Sequence, residues 1–124
     1  MKIIIGKFTG WNMIGEDGQW YGVPENYASK SKLLVGDTLK LCIDETGKYV
    51  YKQIDLVPRN RALATVTQVG KDCYVKIDNG MYYKILNSTA RYYKLEVGDE
   101  VGILFPDGSP TYAAVENLIG KKNY

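Results

Sequence analysis

The 124-residue chain contains no histidine. Imidazole is the usual general base, proton shuttle and metal ligand near neutral pH, so Ser-His-Asp and Cys-His catalysis, zinc hydrolysis and non-haem iron chemistry lose their customary part. Cysteine is scarce as well. Cys42 and Cys73 stand far apart in alternating apolar segments, and they read as small buried hydrophobes in a reducing compartment rather than as a zinc knuckle or redox pair. A dominant charge sign is also missing: 16 basic and 14 acidic side chains leave +2, without the electrostatic footprint of a strong nucleic-acid binder. No apolar run approaches the roughly 20 residues of a membrane span, and Lys2 to Ile5 is too short for a signal-peptide core. The expectation is a cytoplasmic, non-catalytic domain with no metal and no organic cofactor.

What is present becomes clear when the chain is laid on itself at half its length. Gly18 aligns with Gly80, Tyr21 with Tyr83, Ala28 with Ala90, Lys32 with Lys94, Leu33 with Leu95, Val35 with Val97, Gly36 with Gly98 and Asp37 with Asp99. Roughly one such identity is expected by chance over a window of that length, so the chain is an internal repeat. Trp20 with Tyr82, Leu39 with Val101, Leu41 with Ile103 and Ile43 with Phe105 extend it. Beyond that point the alignment slips by one residue, which sets Tyr51 against Tyr112 and Ile54 against Val115.

Each half reads as ββαββ. Val75 and Ile77 alternate with Lys76, Asn79-Gly80 supplies a two-residue hairpin turn, and Met81, Tyr83 and Ile85 alternate on the return. Asp17-Gly18 is the counterpart in the first half. A helix of about two turns is expected around Pro24 to Lys32, with Glu25 at the positive end of its dipole. Its partner, Asn87 to Lys94, has Asn87 and Ser88 as possible caps but is a poorer helix because of Tyr92-Tyr93. Strands then follow both Gly-Asp turns, with Leu39, Leu41 and Ile43 on one face and Val101, Ile103 and Phe105 repeating them. Asp44-Glu45-Thr46-Gly47 and Pro106-Asp107-Gly108-Ser109 turn into final strands near Tyr49 to Ile54 and Thr111 to Val115. Asp55 to Arg61 is the only linker. Its shortness predicts a single domain, 1–62 plus 63–124, with one shared barrel-like core. A pair of OB-like or SH3-like five-stranded barrels is the rival.

The ordered set Asp17-Gly18, Val23-Pro24, a short helix, Val35-Gly36-Asp37, an alternating strand and a glycine hairpin resembles the SpoVT/AbrB swapped-hairpin domain. In the second half Leu86 stands in place of the proline. The resemblance implies a mainly β fold with short helices, in which two ββαββ halves interleave into a single barrel. With both copies in one chain, it implies a monomer that is an intramolecular pseudo-dimer, as in MraZ-like tandem members. Many relatives bind DNA through arginines on the first hairpin and the helix. Here Gln19, Met81, Ala28 and Ser29 occupy such positions, with Arg91 retained.

Two function classes follow. The first is a nucleic-acid-binding regulator, acting on DNA or RNA, with Lys84, Arg91 and Tyr92 as a basic-aromatic set and Lys52, Arg59 and Arg61 as a cationic patch near the half-ends. Trp20, Tyr21, Tyr82, Tyr83 and Tyr93 add stacking surface, although neighbours on a strand point to opposite faces, so half of them belong to the core. The alternative is a protein-interaction module, supported by the balanced charge, the missing arginines and an apolar first hairpin containing Trp11 to Ile14.

Overall fold

The computed structural model describes residues 1–108 and 112–122. The first half forms β1 (Lys2–Phe8), β2 (Asn12–Gly15), β3 (Trp20–Gly22), α1 (Glu25–Lys30), β4 (Thr38–Ile43) and β5 (Tyr49–Asp55). The second repeats that order as β6 (Arg59–Gln68), β7 (Cys73–Ile77), β8 (Tyr82–Ile85), α2 (Asn87–Tyr93), β9 (Glu100–Pro106) and β10 (Ala114–Gly120). Each half therefore holds five strands rather than four. The added strand is the central one: the sheets run β3-β2-β1-β4-β5 and β10-β9-β6-β7-β8. Three hairpin-linked strands with a fourth returning beside the first make a Greek key, and the last strand extends it. Neither helix is long and apolar enough to cross a membrane.

The expected single barrel is thus replaced by two antiparallel five-stranded sheets, each drawing all its strands from its own half. The physical reason lies in β1 and β6. Each is hydrogen-bonded on both sides within its half, β1 to β2 and β4, β6 to β7 and β9, so neither central strand leaves an edge to be shared. The core is divided accordingly. Ile4, Phe8, Met13, Leu39 and Leu41 fill one cluster, and Ala64, Val66, Val75, Val101 and Ile103 fill another. Leu39, Leu41, Val101 and Ile103 are buried as expected, but in separate cores, with Ile43 and Phe105 half-buried beside them.

Local geometry refines several expectations. The segment from Arg59 is strand, which leaves 56–58 as the connection. At the second hairpin only Gly80 takes a positive φ, +88°, while the Ile77 N–H donates to Met81 O at 3.1 Å. The turn is therefore the three-residue form ending in a left-handed glycine, with Asn79 Oδ1 accepting the Met81 N–H at 2.9 Å. Tyr51 lies opposite Leu41, whereas Val115 lies opposite Ile103, so Tyr51 corresponds to Val115 and not to Tyr112. The two added residues lie before Val115, in the connection from β9, and the bulge after Val115 shifts the register by one more. Of the final turn and strand expected in the second half, Ser109 and Thr111 lie outside the described residues. Cys73 is buried, and burial pushes its thiol up to about 11. Cys42 is only half-buried, in register between Ile3 and Val50 on an outer face.

The identities Lys32 to Asp37 and Lys94 to Asp99 build one device twice. Asp37 is fully buried. It accepts the Leu34 N–H at 2.8 Å and the Val57 N–H at 3.0 Å, and Arg59 grips both oxygens at 2.8 and 2.6 Å while also reaching Lys32 O at 3.3 Å. Asp99 accepts the Glu96 N–H at 2.8 Å, the Lys122 N–H at 3.0 Å and Lys121 Nζ at 2.5 Å, and Lys121 reaches Lys94 O at 2.7 Å. Gly36 and Gly98, at φ +96° and +97°, make the turn that points each carboxylate inward. Each clamp ties the segment after a fifth strand to the turn before the fourth, and because Arg59 opens β6 the first clamp also links the two halves.

The halves meet through α1 and α2. Glu25, placed by the sequence at the start of its own helix, accepts the Ser88 N–H on Oε1 at 2.8 Å. The Ser29 and Thr89 hydroxyls are hydrogen-bonded to each other, and Leu86 packs on the first core. Asn87 does not cap α2; its amide donates to Lys71 O at 3.0 Å.

Candidate nucleic-acid interface

A sheet face suited to bases and phosphates must carry flat side chains and cations on the same side, and the two-residue period of a strand decides which they are. In β7, Cys73, Val75 and Ile77 are buried, so Tyr74 and Lys76 point outward. In β8, Tyr83 and Ile85 are buried, so Tyr82 and Lys84 point outward. The register sets Tyr74 opposite Lys84 and Lys76 opposite Tyr82. Every tyrosine of this face therefore has a lysine across the strand from it. Lys76 Nζ lies 5.5 Å from the centre of the Tyr82 ring, within cation–π range. Tyr82 is 54% exposed. Lys84 Nζ is 3.2 Å from Asp72 and 5.6 Å from the centre of the Tyr112 ring. The hydrogen bond that Lys84 donates to Asp72 is the main cause that raises its pKa above the ordinary lysine value and keeps this ammonium charged.

The corresponding β2–β3 hairpin has no lysine of its own on this face; the nearest is Lys7 on β1, opposite Ile14. There Ile14 pairs with Trp20 and Asn12 with Gly22. Trp20 is 60% exposed at the position equivalent to Tyr82, so the two hairpins present equivalent aromatics, with cross-strand lysines only on β7–β8.

The six residues singled out from the sequence do not form one patch. Lys84 belongs to the β7–β8 face. Arg59 is committed to Asp37 as part of the buried clamp, as Lys121 is to Asp99. Arg61 is ion-paired with Glu116 at 3.2 Å. Lys52 lies exposed on β5 of the other sheet, opposite Lys40. Arg91 borders a depression with Lys94 and Cys73, away from the cleft that Lys84 lines. Tyr92 is exposed on α2, stacked on Tyr93 with ring centres 4.9 Å apart.

Alternation sorts the other aromatics as the sequence indicates: Tyr21 and Tyr83 are buried, Trp20 and Tyr82 exposed. Asp17 accepts a hydrogen bond from the Tyr21 hydroxyl, and this bond pushes the phenol up to about 12. The first hairpin is divided in the same way, with Met13 fully buried and Trp11 70% exposed. Its β1–β2 turn is shorter than the β6–β7 turn of the second half. Tyr74 and Lys76 are the members that the sequence reading passed over. Their signal was the alternation between Cys73, Val75 and Ile77, which places both on the face shared by Tyr82 and Lys84. No protein-family model matches this chain, and comparison with curated proteins returns no match.

Proposed function

We propose that the protein is a non-catalytic binder of single-stranded nucleic acid that uses the outer face of the β7–β8 hairpin. The observation that carries this reading is the register of that hairpin, which alternates two tyrosines with two lysines on one exposed face. Aromatic rings accept bases by stacking, at about 1–3 kcal/mol each, and lysines between them neutralise phosphates. Duplex DNA buries its base faces and gives such rings nothing to stack on. The Greek-key order of each sheet supports the same reading, because oligonucleotide-binding five-stranded folds present their second and third strands to the ligand. In this chain those are β7 and β8. The swapped-hairpin resemblance rests on the sequence order of turns and helix, whereas the strand order favours the rival OB-like arrangement. Two free thiols suit a reducing, cytoplasmic setting.

The test is a titration of labelled single-stranded DNA, single-stranded RNA and duplex DNA at about 50 and 200 mM salt. Single strands bind and the duplex binds far more weakly. Lys76 has no ion pair among the described residues, whereas Lys84 must exchange Asp72 for phosphate, so log K falls against log salt with a slope of only about −0.7 to −1.4. Equal binding of duplex and single strand would overturn the reading, and no binding to any of the three leaves the protein-interaction alternative.

A further inference from the structure

A groove of about 410 Å³ lies between the halves, separate from the β7–β8 face. Lys30 and Lys32 border it from the first half, and Tyr92 and Tyr93 from the second. Asn26 and Ser29 add hydrogen-bonding groups, and none of the described lining residues is acidic. Neither Lys30 nor Lys32 has an ion-pair partner among the described residues. The tyrosine rings are stacked with an interplanar angle of 22°, and Tyr92 is 72% exposed. A ring stacked on one side and open on the other is ready to take a third planar group. Two unpaired ammonium groups in the same groove call for a ligand that is also an anion.

We infer that this groove binds a nucleoside monophosphate, with its base on Tyr92 and its phosphate toward Lys30 and Lys32. The volume falls in the range of pre-formed small-molecule sites, roughly 300–1,000 Å³. The site exists only while the halves are docked, because each half supplies one of its two chemistries. Bound nucleotide therefore stabilises the docked arrangement by linkage. The inference goes beyond the strand-binding reading and uses none of its residues.

The test titrates the full chain calorimetrically with adenosine 5′-monophosphate, adenosine and inorganic phosphate, and follows the melting temperature with each. The monophosphate binds and raises the melting temperature, and either fragment alone binds at least about tenfold more weakly, because each forfeits the stacking or the charge contribution. Tyr92→Ala weakens the monophosphate roughly thirtyfold, the mid-range worth of one base stack. Lys30→Ala with Lys32→Asn, the latter chosen because asparagine tolerates the positive φ of 52° found there, has a similar effect. Tyr82→Ala leaves monophosphate binding unchanged while lowering oligonucleotide binding, so the two sites fail independently. Absence of both binding heat and melting shift would overturn the inference, as would monophosphate binding that is indifferent to Tyr92→Ala or abolished by Tyr82→Ala.

Discussion

Asp37 and Asp99 show how a pair of identical residues in a repeat acquires its meaning. A buried carboxylate is costly unless every oxygen is satisfied, and here backbone N–H groups and a cation from the segment after the fifth strand do so. Asp37→Ala leaves the Arg59 guanidinium, 15% exposed, without its counter-charge, and is expected to cost about 3–5 kcal/mol in urea unfolding. Arg59→Met added to that variant recovers part of the loss. The second clamp predicts a pH dependence. Burial opposes the ionised Asp99, but Lys121 and the N–H groups of Lys122 and Glu96 outweigh it and hold the carboxyl below its ordinary 3.8. A depressed folded value means that the stabilisation is complete above the unfolded value, about 3.9, and disappears as pH falls through the folded one. Lys121 is raised above 10.5, chiefly by its hydrogen bond to Asp99, so its share is present below that pH and lost as pH rises beyond it. Melting temperatures of the native chain and of Lys121→Ala should differ most at neutral pH and converge as pH drops below about 4. A constant difference down to pH 2 would contradict the assignment.

At the scale of elements, the turns do much of the specifying. Gly80 closes the hairpin that carries the proposed face, and its φ of +88° disfavours any side chain. With open space around its Cβ position, Gly80→Ala should cost about 1 kcal/mol, from conformation alone. A loss near zero in denaturant titration would show that the turn readily adopts another form. This hairpin, both helices and the strands after the Gly-Asp turns were legible in the sequence, because glycine chemistry and two-residue alternation act locally. The central strand β6 was not. Its inward residues include the small Ala62 and Ala64, its outward ones include Leu63, and Pro58 precedes it, so the segment reads as linker. The register of β10 was hidden too, because the tyrosine match of Tyr51 with Tyr112 masks a longer connection ahead of Val115. Arg59 and Arg61 read as a free patch because ion pairing across the fold, with Asp37 and Glu116, is invisible in one dimension.

At the scale of the molecule, division of the core is the main departure from the sequence expectation. With its own sheet and its own buried cluster, the second half expressed as residues 56–124 should melt cooperatively. It should do so roughly 10 °C below the full chain, from losing the Arg59–Asp37 pair and the Leu86 and helix–helix contacts. A fragment without a melting transition would favour interleaved halves. Near-neutral net charge also means that little long-range attraction draws a strand in, so recognition rests on one hairpin. The two copies provide their own control, since Trp20 and Tyr82 occupy equivalent positions on faces that differ in their lysines. The most direct measurement is the affinity of the native chain, Tyr82→Ala and Trp20→Ala for a labelled single-stranded oligonucleotide at about 50 mM salt. The account predicts that Tyr82→Ala weakens binding by about 1–3 kcal/mol, the worth of one stacked base, while Trp20→Ala leaves it unchanged. Equal losses from both, or a loss from Trp20→Ala alone, would contradict it.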